Sequence, residues 1–519
     1  MNGAWLPALC LTFLSIMMPP FHDATPMESY DERYRPQFHF TPATNFMNDP
    51  NGMVFYQGEY HLFYQHNPFG NEWGHMSWGH AVSSDAVHWK NLPVALREEN
   101  GIMIFSGSAV VDRNNSSGLC AARAQSDKSC LIAIYTGHTE KNQTQNIAYS
   151  NDRGRTWTKY ARNPVIDISE RDFRDPKVIW HEATRQWVMV AVLAKDRKVR
   201  FYGSTNLRDW KHLSDFGPAG ATGGIWECPD LFQLNVDGRQ NASKWVLKVD
   251  LNPGSIAGGS GGQYFVGEFD GTKFTNANAP DQTLWIDYGK DFYAAQSWSN
   301  LPDADKSCVW LGWLNNWQYA NKTPTAPWRG AQSIPRAATL RAYPEGVRLV
   351  QRPVSELRSL RAAHFSVKNE SVTKANALLT AGNLSGDALE IIAEFEPGAA
   401  SEFGFRVRKG AGEETTVAYS TAAQQLFVDR TKSGDVSFES NFPGRHAAPL
   451  PLEKNRVRLH IFVDRSSIEV FGNDGRAVIT DLIFPKPDSR GIEVYATNGT
   501  AKLVSLDIWK LKSAWTKSE

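Results

Sequence analysis

The sequence predicts an all-β fold: a five-bladed β-propeller over residues 30–345, then a C-terminal β-sandwich over residues 361–515. Three observations predict it. From about residue 30, short apolar, β-branched and aromatic runs alternate with Gly, Asn, Asp and Pro, and no long stretch of period 3.6 competes. One turn recurs, as SSDAVHW (83–89), SNDRGRTW (150–157), STNLRDW (204–210) and, more loosely, VGEFDGTKF (266–274). Its closing aromatics Trp89, Trp157, Trp210 and Phe274 are 68, 53 and 64 residues apart. Such a period with strands between marks radially repeated four-stranded sheets. Beyond residue 360 the texture changes to alternating strands such as ALEIIAEFEP, EFGFRVRKG and RVRLHIFVDRSSIEVFGNDGRAVIT, at sandwich spacing.

At the N-terminus, the apolar run AWLPALCLTFLSIMM (4–18) is broken by Pro7 and too short to span a bilayer comfortably. It reads as the core of a secretory signal over residues 1–24, although no Lys or Arg precedes Arg33. Eight Asn-x-Ser/Thr sequons, at Asn114, Asn115, Asn142, Asn241, Asn321, Asn369, Asn383 and Asn498, agree with a secreted, extracellular protein. A chain of 519 residues exceeds one ordinary core, so two domains are expected, with a linker over 346–360. Its 55 basic residues balance 55 acidic ones, which argues against nucleic-acid and membrane-surface partners and favours a neutral ligand. The 18 Trp suit stacking on sugar faces as well as packing between sheets. Cys120 and Cys130 are spaced to close a short loop by a disulfide, whereas Cys228 and Cys308 are expected to be structural or free. The GGSGG stretch (258–262) lacks the Lys-Ser/Thr of a phosphate cradle, and His61, His66, His75, His80 and His88 show no zinc spacing.

A second series interleaves with the turns. Asp49 in MNDPNG, Ser106 in IFSGSAV, Asp175 in FRDPKVIW, Glu227 in WECPDLF and Asp291 in DFYAAQSW follow at steps of 57, 69, 52 and 64 residues, one per repeat. The innermost strand of each blade lines the central channel, so these residues are expected to converge on one axis. Asp49, set among turn amides and beside Asn48, is expected to stay ionised and to serve as a nucleophile. Glu227, flanked by Trp226 and Cys228, is expected to gain a raised pKa from an apolar wall and to act as the acid. Asp175 beside Arg174 suits a residue that favours a cationic transition state. SNDRGRTW also fits the Asp-box of sialidases. Those enzymes use an arginine cluster and a tyrosine nucleophile, so the box is read here as a structural turn.

NFMNDPNG, FRDP and WECPDL, with GHMSWGHAVSSDAVHW, FSGSAV, GWLNNWQY and FVDRSSIEVFGN in this order, resemble glycoside hydrolase family 32, the β-fructofuranosidases (invertases, exo-inulinases, levanases). The resemblance runs from residue 35 to 512 and implies the same propeller followed by a sandwich. It implies that Asp49 is the nucleophile, Glu227 the general acid/base, and Asp175 with Arg174 the transition-state stabiliser. Asn48, Gln65, Trp73, Phe105, Ser106, Tyr293 and Trp313 match fructose-subsite positions. The implied activity is retaining release of terminal fructose from sucrose, inulin and levan, without metal or other cofactor. The uninterrupted WECPDLFQL and the long LNPGSIAGGSGGQYFVGEFDGTKF are more like exo-inulinases and levanases than plant invertases. Two alternatives stay open: a fructosyltransferase that uses the same covalent intermediate, and a non-catalytic sugar-binding propeller.

Overall fold

The computed structural model describes residues 30–121, 128–302 and 308–515, together with Met1. The expected signal over 1–24 therefore lies, apart from Met1, outside the described residues. Among the described residues, no helix is long and apolar enough to cross a membrane.

The recurrent turn is held by its own side chains. Asp85 Oδ1 accepts the amides of Val87 and His88 (2.9 and 2.8 Å), and Asn206 Oδ1 those of Arg208 and Asp209 (3.0 and 2.9 Å). Asp270 Oδ1 likewise accepts Thr272 and Lys273 (2.7 and 2.8 Å). In all four turns the next residue, Ala86, Arg153, Leu207 or Gly271, is left-handed. The closing indoles of Trp157 and Trp210 donate back to Gly154 and Leu207 carbonyls. The Asp-box is thus one copy of a structural turn that joins the third and fourth strands of a sheet.

Each turn terminates the third strand of an antiparallel meander. The first sheet runs Asn45–Tyr56, Glu59–Asn67, Ser77–Ser83, Lys90–Leu96, and the late segment Trp328–Arg329 pairs parallel to its first strand. The second runs Met103–Asp112, Cys130–His138, Gln143–Ser150, Thr158–Lys159, and the third Phe173–His181, Gln186–Leu193, Lys198–Ser204, Lys211–Phe216. A further nine-stranded sheet begins with Ile225–Val236, Arg239–Asn252 and Gly261–Phe269. A single parallel pair, Val236 with Leu340, joins these to Tyr293–Ser297, Cys308–Trp313, Arg336–Tyr343 and Gly346–Pro353. The strands beginning at Asn45, Met103, Phe173, Ile225 and Tyr293 each lie against the next, and the last returns to the first. Apolar clusters fill the space between successive sheets; Val190 and Phe201 meet Trp226 and Leu247 between the third and the fourth.

Two further sheets, of six and five strands, share one core in the C-terminal part, where Ile391 and Phe395 face Phe403, Phe405 and Val417. This is sandwich packing. The expected linker over 346–360 is ordered instead. Gly346–Pro353 pairs along its length with Arg336–Tyr343, and Ser355–Leu360 forms a 3₁₀ turn with Leu357 and Leu360 buried. Alternating apolar residues in VRLV extend the preceding sheet. The α-helix Val372–Ala381 was not anticipated; it starts where Ser371 Oγ accepts the Lys374 amide and stops at Gly382. Cys120 and Cys130 form a disulfide, and Cys228 and Cys308 are free and buried.

Candidate active site

Five register breaks build the site. Each inner strand skips its partner beside the site, between Met47 and Pro50, Ile104 and Gly107, Arg174 and Lys177, Glu227 and Asp230, and Tyr293 and Gln296; the first and fourth of these strands break register a second time, between Asn51 and Val54 and between Asn235 and Val236. Bulges of this kind re-aim side chains and release backbone amides from the ladder. Asp175, Cys228 and Ala294 are left-handed at the breaks, with φ of 62, 46 and 53°. The freed amides are taken up locally: Cys228 N donates to Asp175 Oδ2 (2.9 Å), Asp175 N to Thr136 Oγ1 (2.9 Å), and Gly107 N to Asn51 Oδ1 (3.2 Å). NDPNG is therefore a bulge inside a strand, not the free turn expected.

Asp49, Asp175 and Glu227 converge as expected. Asp49 Oδ2 accepts Ser106 Oγ at 2.6 Å and lies 3.4 Å from Cys228 Sγ, while its Oδ1 accepts Asn48 Nδ2 at 3.0 Å. Cys228 Sγ is also 3.7 Å from Asp175 Oδ2, so one thiol stands between two carboxyls. Arg174 stands between Asp175 and Glu227, with Nε 3.3 Å from Glu227 Oε1 and 4.0 Å from Asp175 Oδ2. Tyr293 donates its hydroxyl to Glu227 Oε2.

Burial dominates the electrostatics. It pushes the Asp49 carboxyl above its ordinary range, helped by the Glu227 charge and opposed by the bonds from Ser106 and Asn48. It pushes Asp175 up to about 7, against the pull of Arg174. The Cys228 thiol is raised well above its usual value, so it faces the carboxylates as a neutral S–H. Two expectations are corrected here. Side-chain donors, not turn amides, oppose the burial of Asp49. Trp226 does not wall Glu227: strand alternation sends its ring into the core between the third and fourth sheets, where Nε1 donates to Ala221 O (3.0 Å). The neighbours of Glu227 are Arg174 and Tyr293.

The remaining residues surround this cluster at different depths. Gln65 Nε2 donates to Ile104 O (3.0 Å) and ties the first sheet to the second. Phe105 stacks on His138 at 4.2 Å, and the Trp73 ring, 40% exposed, meets Phe105 edge-on at the rim. Trp313 is fully buried, edge-on to Tyr293 and against Trp317. Trp313 Nε1 and Asn48 Oδ1 are buried without a hydrogen-bond partner in the protein, which suits them to ligand hydroxyls.

Asp291, the fifth of the polar series, does not join them. Its carboxylate accepts Tyr319 OH (2.5 Å), Arg430 Nη1 (2.5 Å) and Leu482 N (2.8 Å), and so faces the sandwich. The side chain of that segment that reaches the cluster is Tyr293, two positions on, through its bond to Glu227. Sequence reading also missed Cys228, treated as structural or free, and the buried pair Lys248 and Asp250. The alternation of VLKVDL, with charges at every second strand position, was a usable signal for that pair.

With this geometry established, comparison with known proteins identifies the lineage. The profile of the glycosyl hydrolases family 32 N-terminal domain matches residues 39–353, and that of the family 32 C-terminal domain residues 356–510. The chain belongs to glycosyl hydrolase family 32. Within family 32 it is 55% identical to a levanase of Bacillus subtilis over 498 residues, covering 95% of this chain and 72% of that one. It is 43% identical to the extracellular exo-inulinase of Aspergillus niger, covering 94% and 96%. Among solved structures it is similar to exo-inulinase from Aspergillus awamori (TM-score 0.86, 41% identity, 94% and 100% covered). A second is a fructofuranosidase from Schwanniomyces occidentalis complexed with fructosylnystose (TM-score 0.83, 33% identity, 93% and 98% covered). Family 32 membership makes this a glycoside hydrolase with an N-terminal propeller and a C-terminal β-sandwich.

Proposed function

We propose that the protein is a retaining glycoside hydrolase that releases terminal non-reducing β-D-fructofuranosyl residues from sucrose and from the fructans inulin and levan. The observation that carries this reading is the cluster in which Cys228 and Arg174 link the carboxyls of Asp49, Asp175 and Glu227. In the assigned roles, Asp49 attacks the anomeric carbon while Glu227 protonates the departing oxygen. Glu227 then deprotonates the water that frees fructose. Asp175 and Arg174 grip fructose hydroxyls and favour the oxocarbenium-like transition state. Asn48, Gln65, Ser106, Tyr293 and Trp313 form the fructose pocket, and Trp73 with Phe105 its rim.

Relatives named levanase and exo-inulinase agree in favouring hydrolysis of fructan ends over transfer. The closed ring of inner strands supports counting five blades, and the end of the Gly346–Pro353 strand supports a domain boundary near residue 354. The apolar N-terminal run and relatives described as extracellular support an extracellular location. Product analysis on sucrose, inulin and levan tests the assignment. Free fructose is expected as the first product of all three; short oligosaccharides would show internal cleavage, and no release would favour a binding protein.

A further inference from the structure

Lys248 and Asp250 lie one strand out from the channel, in Arg239–Asn252. Glu227 is the register partner of Asp250, and Asp230 that of Lys248, so Asp250 stands behind Glu227 on the same face of the sheet. Both side chains are completely enclosed. Lys248 Nζ donates to Cys228 O (2.9 Å), to Ala295 O (2.6 Å) and to the Asp250 carboxylate. Those two carbonyls belong to two of the register breaks, one beside Glu227 and the other two residues after Tyr293. Because Tyr293 also hydrogen-bonds Glu227, a closed loop runs from Glu227 through the Cys228 carbonyl, the ammonium, the Ala295 carbonyl and Tyr293 back to Glu227.

The carboxylate has its own space. A Cβ at Gly262 would come within 2.4 Å of Asp250 Oδ1, an atom without a hydrogen-bond partner in the protein. A buried ion pair gains little over an apolar couple of the same volume, so stability alone does not explain it. Burial raises the Asp250 carboxyl, the Lys248 ammonium bonded to it opposes that rise, and the charges of Asp49 and Glu227 act with burial. The charged and titratable groups around it are thus Lys248 on its own strand, Glu227, Cys228 and Asp230 on the next, Asp49 on the first inner strand, and Tyr293 on the last. Glu227 in turn faces Arg174 and Asp175 from the third sheet.

We infer that Lys248 and Asp250 are positioning residues for the hydrolytic reaction: the ammonium clamps the bulges that present Glu227 and Tyr293, and Asp250 cancels its charge. The inference rests on the roles proposed above for Glu227 and Asp49. Those roles are tested separately by Asp49→Asn, which loses activity if they hold, whatever Lys248 and Asp250 do.

The test is the pH dependence of kcat/KM in two variants. In Asp250→Asn the uncompensated ammonium favours ionised carboxylates, so both limbs of the profile are expected to move to lower pH, by about 0.5 to 1 unit. In the double variant Lys248→Met with Asp250→Asn no net charge remains. Its limbs are expected at the parent positions, with kcat lower by about tenfold or more and KM nearly unchanged, because the clamp is gone. A purely structural pair would change the melting temperature without moving the limbs. Superimposable profiles for Asp250→Asn and the parent, or parent-like kcat in the double variant, overturn the inference. If Asp250→Asn does not fold, the double variant decides alone: depressed kcat on an unshifted profile supports the clamp, and parent kcat sinks it.

Discussion

Asp175 shows what one residue costs the fold. Its folded-state pKa, raised from 3.8 to about 7, means that ionising it opposes folding. The raised pKa leaves stability intact below pH 3.8 and removes it as pH rises through 7. Asp175→Asn is therefore expected to stabilise the free enzyme at pH 8, by on the order of 2 kcal/mol, and to change little at pH 4. Thermal melts at the two pH values check this, and activity is expected to fall in the same variant. Asp49→Asn removes the carboxylate proposed as nucleophile while keeping the bond to Ser106 Oγ available, so it should leave the melting curve near the parent's and lower kcat by about 1,000-fold or more. Initial rates on sucrose measure it, and substantial residual activity would remove Asp49 from its role. Both residues were legible in the chain because they stand as acids in apolar strand contexts at the blade period. Cys228 was not: a cysteine in a strand is ordinarily a small buried hydrophobe, and only the left-handed backbone at its position turns the thiol toward two carboxyls.

At the level of the element, the register break is the working device. Inner strands that ran in perfect pairing would alternate strictly between the two inter-sheet cores and could not aim Asp49, Ser106, Asp175 and Glu227 at a common point. Gly52 belongs to this device. It sits at φ +53°, and a Cβ there would lie 2.6 Å from Phe63 and 2.9 Å from Trp78. Gly52→Ala is expected to cost about 1–3 kcal/mol and to lower activity with it, since the strained turn and the clash both fall within the Asp49 strand. Denaturant titration beside rate measurement reads both effects. Gly, Pro and Asn in NDPNG, FRDP and WECP announced irregular backbone at these places, and Pro is tolerated because the ladder is already open there. Which side chain the last bulge presents was not legible from the spacing. Asp291 has the spacing of a site residue, yet Tyr293, two positions later, is the one turned inward.

Over the whole molecule, the two domains are joined by buried charges. His39 lies between Asp464 (2.8 Å) and Glu469 (2.9 Å), and Glu469 continues to Arg336, which pairs with Asp287 at 3.0 Å. Burial opposes protonation of His39, but the two carboxylates prevail and raise it from 6.5 to about 9. The contribution of this contact is therefore complete below pH 6.5 and is lost as pH rises through about 9. The melting temperature should decline over that window, and the decline should be absent in His39→Gln. Removing one partner leaves the others buried and unpaired, so Glu469→Gln is expected to cost about 3–5 kcal/mol. Calorimetry should then show two domain transitions in place of the single one expected for the parent. The FVDRSSIEVFGN motif thus serves the interface, through Asp464 and Glu469.

Strand-forming composition, the period of the turns and the recurrence of acids sufficed to place two β domains and to single out Asp49, Asp175 and Glu227, because those signals are local and repeat along the chain. The orientation of Asp291 and Trp226, the thiol between the carboxyls and the Lys248–Asp250 clamp were decided in three dimensions. Each depends on which face a bulge exposes and on which distant strand fills the space beside it, and neither is encoded in any short stretch of residues.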